Sequence, residues 1–128
     1  MRLLLDTCTF LWLVTGSRML SARARDLASE PENATYLSFA SSWEIAIKYG
    51  TGKIPLHEPP DTYIPDTRKR HGIVALPLTE AVCLTVHLLP RLHRDPFDRL
   101  LVSQALSEGM TILTPDPKIR RYPVATDW

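Results

Sequence analysis

Residues 2–14 read Arg2-Leu3-Leu4-Leu5-Asp6-Thr7-Cys8-Thr9-Phe10-Leu11-Trp12-Leu13-Val14. A short unbroken apolar run closed by a carboxylate is the pattern of a strand buried on both faces. The residues after Asp6 suit a short helix that carries Phe10, Leu11 and Trp12 toward the core. Outward from this stretch the same alternation repeats. A second helix starts after Ser21 and ends before Pro31. Ala34–Phe39 has strand composition, and Ser41-Ser42-Trp43-Glu44 opens a helix to about Tyr49, stopped by Gly50 and Gly52. Pro55, Pro59, Pro60 and Pro65 predict a loop and then a proline-interrupted helical segment through His71. Ile73–Leu78 returns to strand character, and Thr79 caps an apolar helix up to Leu89. Asp95-Pro96 begins the longest helix, through Ser107, closed by Gly109. Thr111–Thr114 and Val124–Thr126 are the last strands. Strands alternating with helices predict a single α/β domain over residues 1–128, a parallel sheet flanked by helices.

The bulk composition agrees with a globular chain. At 128 residues, with 45% apolar and 23% charged side chains, it is long enough to bury a core without staples. No apolar run is long enough to span a membrane and no secretory leader is visible, so a cytoplasmic location is expected. Cys8 and Cys83 stand in apolar surroundings outside any metal or redox spacing, and are expected to be buried free thiols. The net charge is only +1, but its distribution matters more. If four of the 14 acids gather in one site, the remaining ten face 15 bases over the rest of the surface. Basic clusters at Arg68-Lys69-Arg70-His71, at Arg91 with His93-Arg94, and at Lys118 with Arg120-Arg121 suit phosphate backbones. Each cluster alone equally suits a solvated helix face.

Functional groups of an open parallel sheet gather outside the carboxyl ends of its strands. Asp6 closes the first strand, Glu44 follows the second near the start of its helix, and Asp116 comes just past Thr111–Thr114. The helix that opens Asp95-Pro96-Phe97-Asp98 aims its first turn at the same place. Each acid has an ordinary explanation as a helix cap: Ser41-x-x-Glu44 is written as a capping box, and Asp95-Pro96 as an N-cap with proline at the first helical position. Capping does not require that the acids share one edge of one sheet. Unit charges about 4 Å apart repel by about 4 kcal/mol at an effective dielectric near 20, so such a group persists only if protons or cations offset it. Oxygen-only donors favour Mg²⁺ or Mn²⁺. His57, His71, His87 and His93 have no zinc-like spacing.

Four blocks of the chain resemble those of PIN-domain ribonucleases, in particular the VapC-type toxins of toxin–antitoxin pairs. They are Leu3-Leu4-Leu5-Asp6-Thr7, Ser42-Trp43-Glu44-Ile45-Ala46-Ile47-Lys48, Asp95-Pro96-Phe97-Asp98-Arg99-Leu100-Leu101 and Leu113-Thr114-Pro115-Asp116. The blocks stand in family order and the likeness runs to Tyr122…Trp128. The resemblance implies a three-layer α/β/α sandwich around a central parallel sheet, with Asp6, Glu44, Asp98 and Asp116 as the acidic, metal-holding site. Asp95 is an extra acid one turn from Asp98, and Thr7 and Thr114 resemble hydroxyls that orient the site. Ser103 stands where the family often has alanine. The resemblance further implies RNA as substrate, a homodimer, and a small antitoxin partner whose segment covers the site.

On that basis Asp6 and Asp98 are expected as direct ligands of Mg²⁺ or Mn²⁺, with Asp116 and Glu44 completing the shell and one of them orienting a water. Lys48, Arg94, Arg99, Lys118 and Arg120 are expected to hold the RNA backbone. Two rivals use a similar scaffold. A phosphoacceptor receiver domain needs paired acids after the first strand and a lysine after the last, and this chain has a single Asp6 and Thr114-Pro115-Asp116. A non-catalytic RNA- or protein-binding module gains nothing from four carboxylates beside phosphates.

Overall fold

The computed structural model describes residues 1–128. Five strands form one sheet in the order β3-β2-β1-β4-β5: β1 (Arg2–Leu5), β2 (Ala34–Ser38), β3 (Val74–Leu76), β4 (Thr111–Leu113) and β5 (Thr126–Asp127). Every pairing is parallel. The triple leucine of β1 is fully buried, as a strand covered on both faces must be.

Side chains alternate across a strand, so Leu4 and Leu5 enter different halves of the core. On the Leu4 side lie Ile112 of β4 and Leu101, Val102 and Ala105 of α6 (Pro96–Glu108). On the Leu5 side lie Leu37 and Leu113, with Phe10 of α1 (Thr7–Thr15), Ala24 of α2 (Ala22–Ser29), Ile45 of α3 (Phe39–Gly50) and Ile64 of α4 (Pro60–His71). The short helices α5 (Glu80–Thr85) and α7 (Pro117–Arg120) pack on α6. The result is the three-layer α/β/α sandwich.

The chain builds β1, β2 and β3 in one direction, then returns to the other side of β1 for β4 and β5. The order therefore reverses at β1, and the crevice beside such a reversal is where α/β sheets place ligands. Register sharpens this. Leu5 is level with Leu37 and with Leu113, so Asp6, Ser38 and Thr114 leave the sheet side by side.

Four expectations need correction. Helix α3 starts at Phe39, with Ser38 as N-cap accepting from the Ala40 amide at 3.0 Å, so Ser41 and Glu44 form no capping box. The segment to Leu89 is α5 followed by a 3₁₀ turn at Val86–Leu88, and the final strand is Thr126–Asp127, past the predicted Val124–Thr126. Cys8 and Cys83 are free but exposed, Cys8 in the first turn of α1 and Cys83 on the short α5. No helix is long and apolar enough to cross a membrane.

Candidate active site

Asp6 stands at the carboxyl end of the central strand and is buried. Its extended backbone makes it the N-cap of α1, with Oδ1 accepting from the Thr9 amide at 2.7 Å. Its Oδ2 accepts from the Thr114 hydroxyl, which the register has brought alongside. Thr114 Oγ1 in turn accepts from the Asp116 amide at 3.0 Å, so one threonine ties the acid after β1 to the acid after β4. Asp116 caps α7, its Oδ1 accepting from the Lys118 amide at 2.9 Å.

Glu44 comes from the second turn of α3, and with the capping box gone its carboxylate turns inward and is buried. Oε1 accepts from the Thr7 hydroxyl at 2.5 Å and Oε2 from Lys48 Nζ at 2.6 Å. Asp95 caps α6 through the amides of Phe97 and Asp98, which leaves the Asp98 side chain, in the first turn, free to face the crevice. Asp98 Oδ2 meets His93 Nε2 at 3.1 Å, and His93 Nδ1 meets the Tyr122 hydroxyl at 2.7 Å.

These side chains share one small cleft of about 180 Å³, lined by Asp6, Thr7, Cys8, Glu44, Lys48, Asp95, Asp98 and Asp116. Five acids, delivered after β1, β2 and β4 and by the start of α6, thus face a single cavity. Thr114 lies behind Asp6, outside the lining. Of the cations expected to hold RNA, only Lys48 lines the cleft, and it is spent on Glu44. Arg94 and Arg99 line a neighbouring concavity, while Lys118 and Arg120 sit exposed on α7.

The acids sense one another. Burial is the main cause that holds Asp6 above the usual carboxylate range, opposed by the hydrogen bonds from Thr114 and Thr9, with a further upward push from Asp116. Asp98 is raised to about 6, first by burial, against the lowering bond from His93, and then by Asp95, Asp116 and Glu44. Glu44 in turn holds the Lys48 ammonium protonated more firmly. Two groups in this neighbourhood escape a reading of the sequence. Cys8 borders the cleft, but partial burial and the charges of Asp6 and Glu44 push its thiol up, so the charged donors are all oxygen. His93 is set aside by the search for zinc spacing, yet it pairs with Asp98. Its place just ahead of the Asp95 cap is the signal that could have found it.

A hard divalent ion suits this donor set, since buried carboxylates that raise each other's proton affinity are relieved by a cation. The convergence is incomplete, because no three His, Cys, Asp or Glu side chains close on one point at ligating distance. Glu44 has both oxygens engaged, by Thr7 and Lys48, whereas Asp98 has only Oδ2 engaged, by His93, and keeps Oδ1 open to an ion.

Comparison with known proteins bears on the whole chain. Ribonuclease VapC16 of Mycobacterium tuberculosis is 42% identical over 57 residues, a match that spans 44% of this chain and only 40% of that protein. Among solved structures, VapBC2 of Rickettsia felis, crystallised with a DNA fragment from its promoter, superposes with a TM-score of 0.72 at 18% identity over 99% of this chain and 98% of that one. VapBC-1 of nontypeable Haemophilus influenzae gives 0.60 at 18% identity, covering 99% and 97%. A toxin–antitoxin complex from Klebsiella pneumoniae gives 0.61 at 14% identity, covering 98% and 95%. At these identities the superpositions speak for the fold. The model of the PIN domain matches residues 3–125, nearly the entire length over which the sheet, its helices and the acidic cleft are built, and the chain belongs to the PIN domain family.

Proposed function

We propose that the protein is an endoribonuclease dependent on Mg²⁺ or Mn²⁺ and acts as the toxin of a toxin–antitoxin pair. The observation that supports this best is the cleft at the sheet's reversal point, where five acids face one cavity of about 180 Å³. Capping accounts for Asp6, Asp95 and Asp116 singly, but not for Glu44, which is buried mid-helix and caps nothing. The partial likeness to a ribonuclease and the fold shared with toxin–antitoxin complexes agree with the reading.

In this reading Asp6 and Asp98 hold the ion directly, with Asp116 and Glu44 completing its shell. When bound there, the ion lowers the pKa of a water and neutralises charge developing on the scissile phosphate. Asp116 is the best-placed base. One of its oxygens has no partner within the chain, whereas both Glu44 oxygens are engaged by Thr7 and Lys48. Asp116 takes a proton from the attacking water, the water oxygen bonds to phosphorus as the P–O3′ bond breaks, and the departing O3′ takes a proton from solvent, giving a 5′-phosphate and a 3′-hydroxyl. Thr114 and Thr7 hold Asp6 and Glu44 in orientation, and His93 does the same for Asp98.

A small antitoxin with a basic residue for the cleft, and a homodimer, belong to the same proposal. Leu84 and Leu88, at 63% and 71% exposure, offer an apolar surface for a contact between copies. The deciding experiment is incubation of purified protein with total RNA, with and without EDTA, followed by sequencing of 5′-phosphate ends. New ends should need the divalent ion and vanish in Asp6→Asn. Ends that persist in EDTA or in the variant would overturn the proposal.

A further inference from the structure

A second concavity, of about 550 Å³, is lined by Arg91, Leu92, His93, Arg94 and Arg99. It has three guanidinium groups and no carboxylate in its lining, and none of the three forms an ion pair. Arg99 is fixed by neutral partners: Nη1 donates to the Pro90 carbonyl at 2.8 Å and to the Tyr122 hydroxyl at 3.0 Å, and Nη2 to the Val86 carbonyl at 3.2 Å. Its charge is thus held in place and left uncompensated. Arg91 and Arg94 are exposed, with no hydrogen bond or ion pair inside the chain.

The concavity and the acidic cleft adjoin, with Arg94 of one next in the chain to Asp95 of the other. His93 lines the arginine side, Asp98 lines the acidic side, and the two meet at 3.1 Å. A cleft of five carboxylates repels a polyanion, and gathering three unpaired cations is itself unfavourable. Both costs fall when one anionic strand lies across cleft and concavity, with one phosphate at the carboxylates and their ion and another among the arginines. Arginine suits the second position because its planar fork meets two phosphate oxygens at once.

We propose that the Arg91–Arg94–Arg99 concavity is a phosphate subsite of a single nucleic-acid strand and holds a phosphodiester flanking the one at the acidic cleft. Arg91 and Arg94 contact it, and Arg99 is the fixed charge behind them. The inference rests on the nuclease reading for what lies at the cleft, but its test does not depend on cleavage.

The test measures binding of a short single-stranded RNA in EDTA, with a neutral methylphosphonate linkage walked one position at a time along the strand. For the wild type, one position of the neutral linkage should weaken binding by about tenfold, the scale of one charge-assisted hydrogen bond. In Arg91→Gln/Arg94→Gln the all-charged strand should bind about tenfold more weakly, and the same neutral linkage should then cost nothing further. The slope of log K against log salt should become shallower by about 0.7 for each phosphate that the variant no longer neutralises. Arg18→Gln, beyond the far end of α1 from Asp6, should leave affinity and slope at wild-type values. Equal cost of the neutral linkage in wild type and double variant overturns the subsite, as does an equal weakening in Arg18→Gln. A double variant that no longer binds an acidic peptide but binds RNA as the wild type does also overturns it, in favour of a protein-docking role. RNA that binds in the expected pattern but stays intact when Mg²⁺ is added supports the subsite and counts against the nuclease.

Discussion

Asp6 carries two demands that pull against each other. As the cap of α1 and the acceptor of the Thr114 hydroxyl it is stabilised as a carboxylate, yet its burial and the nearby Asp116 outweigh those bonds and raise its pKa. Asparagine keeps an acceptor for the Thr9 amide and caps as well as aspartate does, while removing the buried charge. Asp6→Asn should therefore melt higher than wild type in EDTA, by about 1 kcal/mol or about 3 °C, with unchanged circular dichroism. A lower melting temperature would mean that the cap and the Thr114 bond dominate and that Asp6 is structural. Asp98 makes a related prediction with pH. Its folded pKa of about 6 lies above the ordinary 3.8, so the folded chain binds this proton more tightly than the unfolded one. The stabilisation is complete below about pH 4 and is lost as pH rises through about 6. Asp98→Asn does not titrate. Measured by urea unfolding in EDTA, wild type should lose on the order of 2 kcal/mol relative to that variant between those limits. Curves that run parallel would show that Asp95, Asp116 and Glu44 do not press on Asp98 as their placement implies.

At the scale of elements, the start of α3 separates two serines that look interchangeable. Ser38 caps the helix, so Ser38→Ala should cost about 1 kcal/mol by thermal or urea unfolding. Ser41 is buried inside the helix with its hydroxyl oxygen 3.0 Å from that of Thr7, next to the bond that Thr7 donates to Glu44. Ser41→Ala should cost less stability and, on the nuclease reading, impair cleavage more than Ser38→Ala does, as a time course on one RNA would record. The reverse ranking would restore Ser41 as the cap. The capping-box spacing was legible and misleading for the same reason: Ser-x-x-Glu describes a cap only if the strand ends at Phe39, and parallel pairing with β3 ends it one residue earlier, at Ser38. Where the pattern rests on burial, as in Leu3-Leu4-Leu5, or on a cap that proline enforces, as in Asp95-Pro96, sequence and structure coincide. The acids at strand ends belong to this readable kind, since topology alone carries them to one edge. The bond between His93 and Asp98 and the place of Cys8 beside the cleft do not, because each depends on which way a side chain leaves a loop or a first turn, and periodicity holds no information on that.

Over the whole molecule, the charge is divided. A chain of net charge +1 sets five acids around one cleft and three unpaired arginines around the concavity next to it, where His93 meets Asp98. Such separation opposes folding unless something outside the chain relieves it, and the acidic half has only Lys48 and His93 as internal relief. A divalent ion that binds the folded chain alone should then stabilise it by mass action, by about 2.7 kcal/mol at a free concentration a hundred times its dissociation constant. Mg²⁺ or Mn²⁺ should raise the melting temperature along a saturating curve. NaCl at matched ionic strength should not, because screening relaxes the repulsion only weakly inside a buried cleft. In Asp6→Asn and Asp98→Asn the curve should flatten, even though both variants start from a higher melting temperature in EDTA. That opposition of signs separates a metal site from mere crowding: a site that only stores repulsion would gain from the substitutions and be indifferent to the choice of ion. Equal shifts with NaCl and with Mg²⁺ would therefore remove the metal from the proposal and leave five acids that share a cleft without an ion.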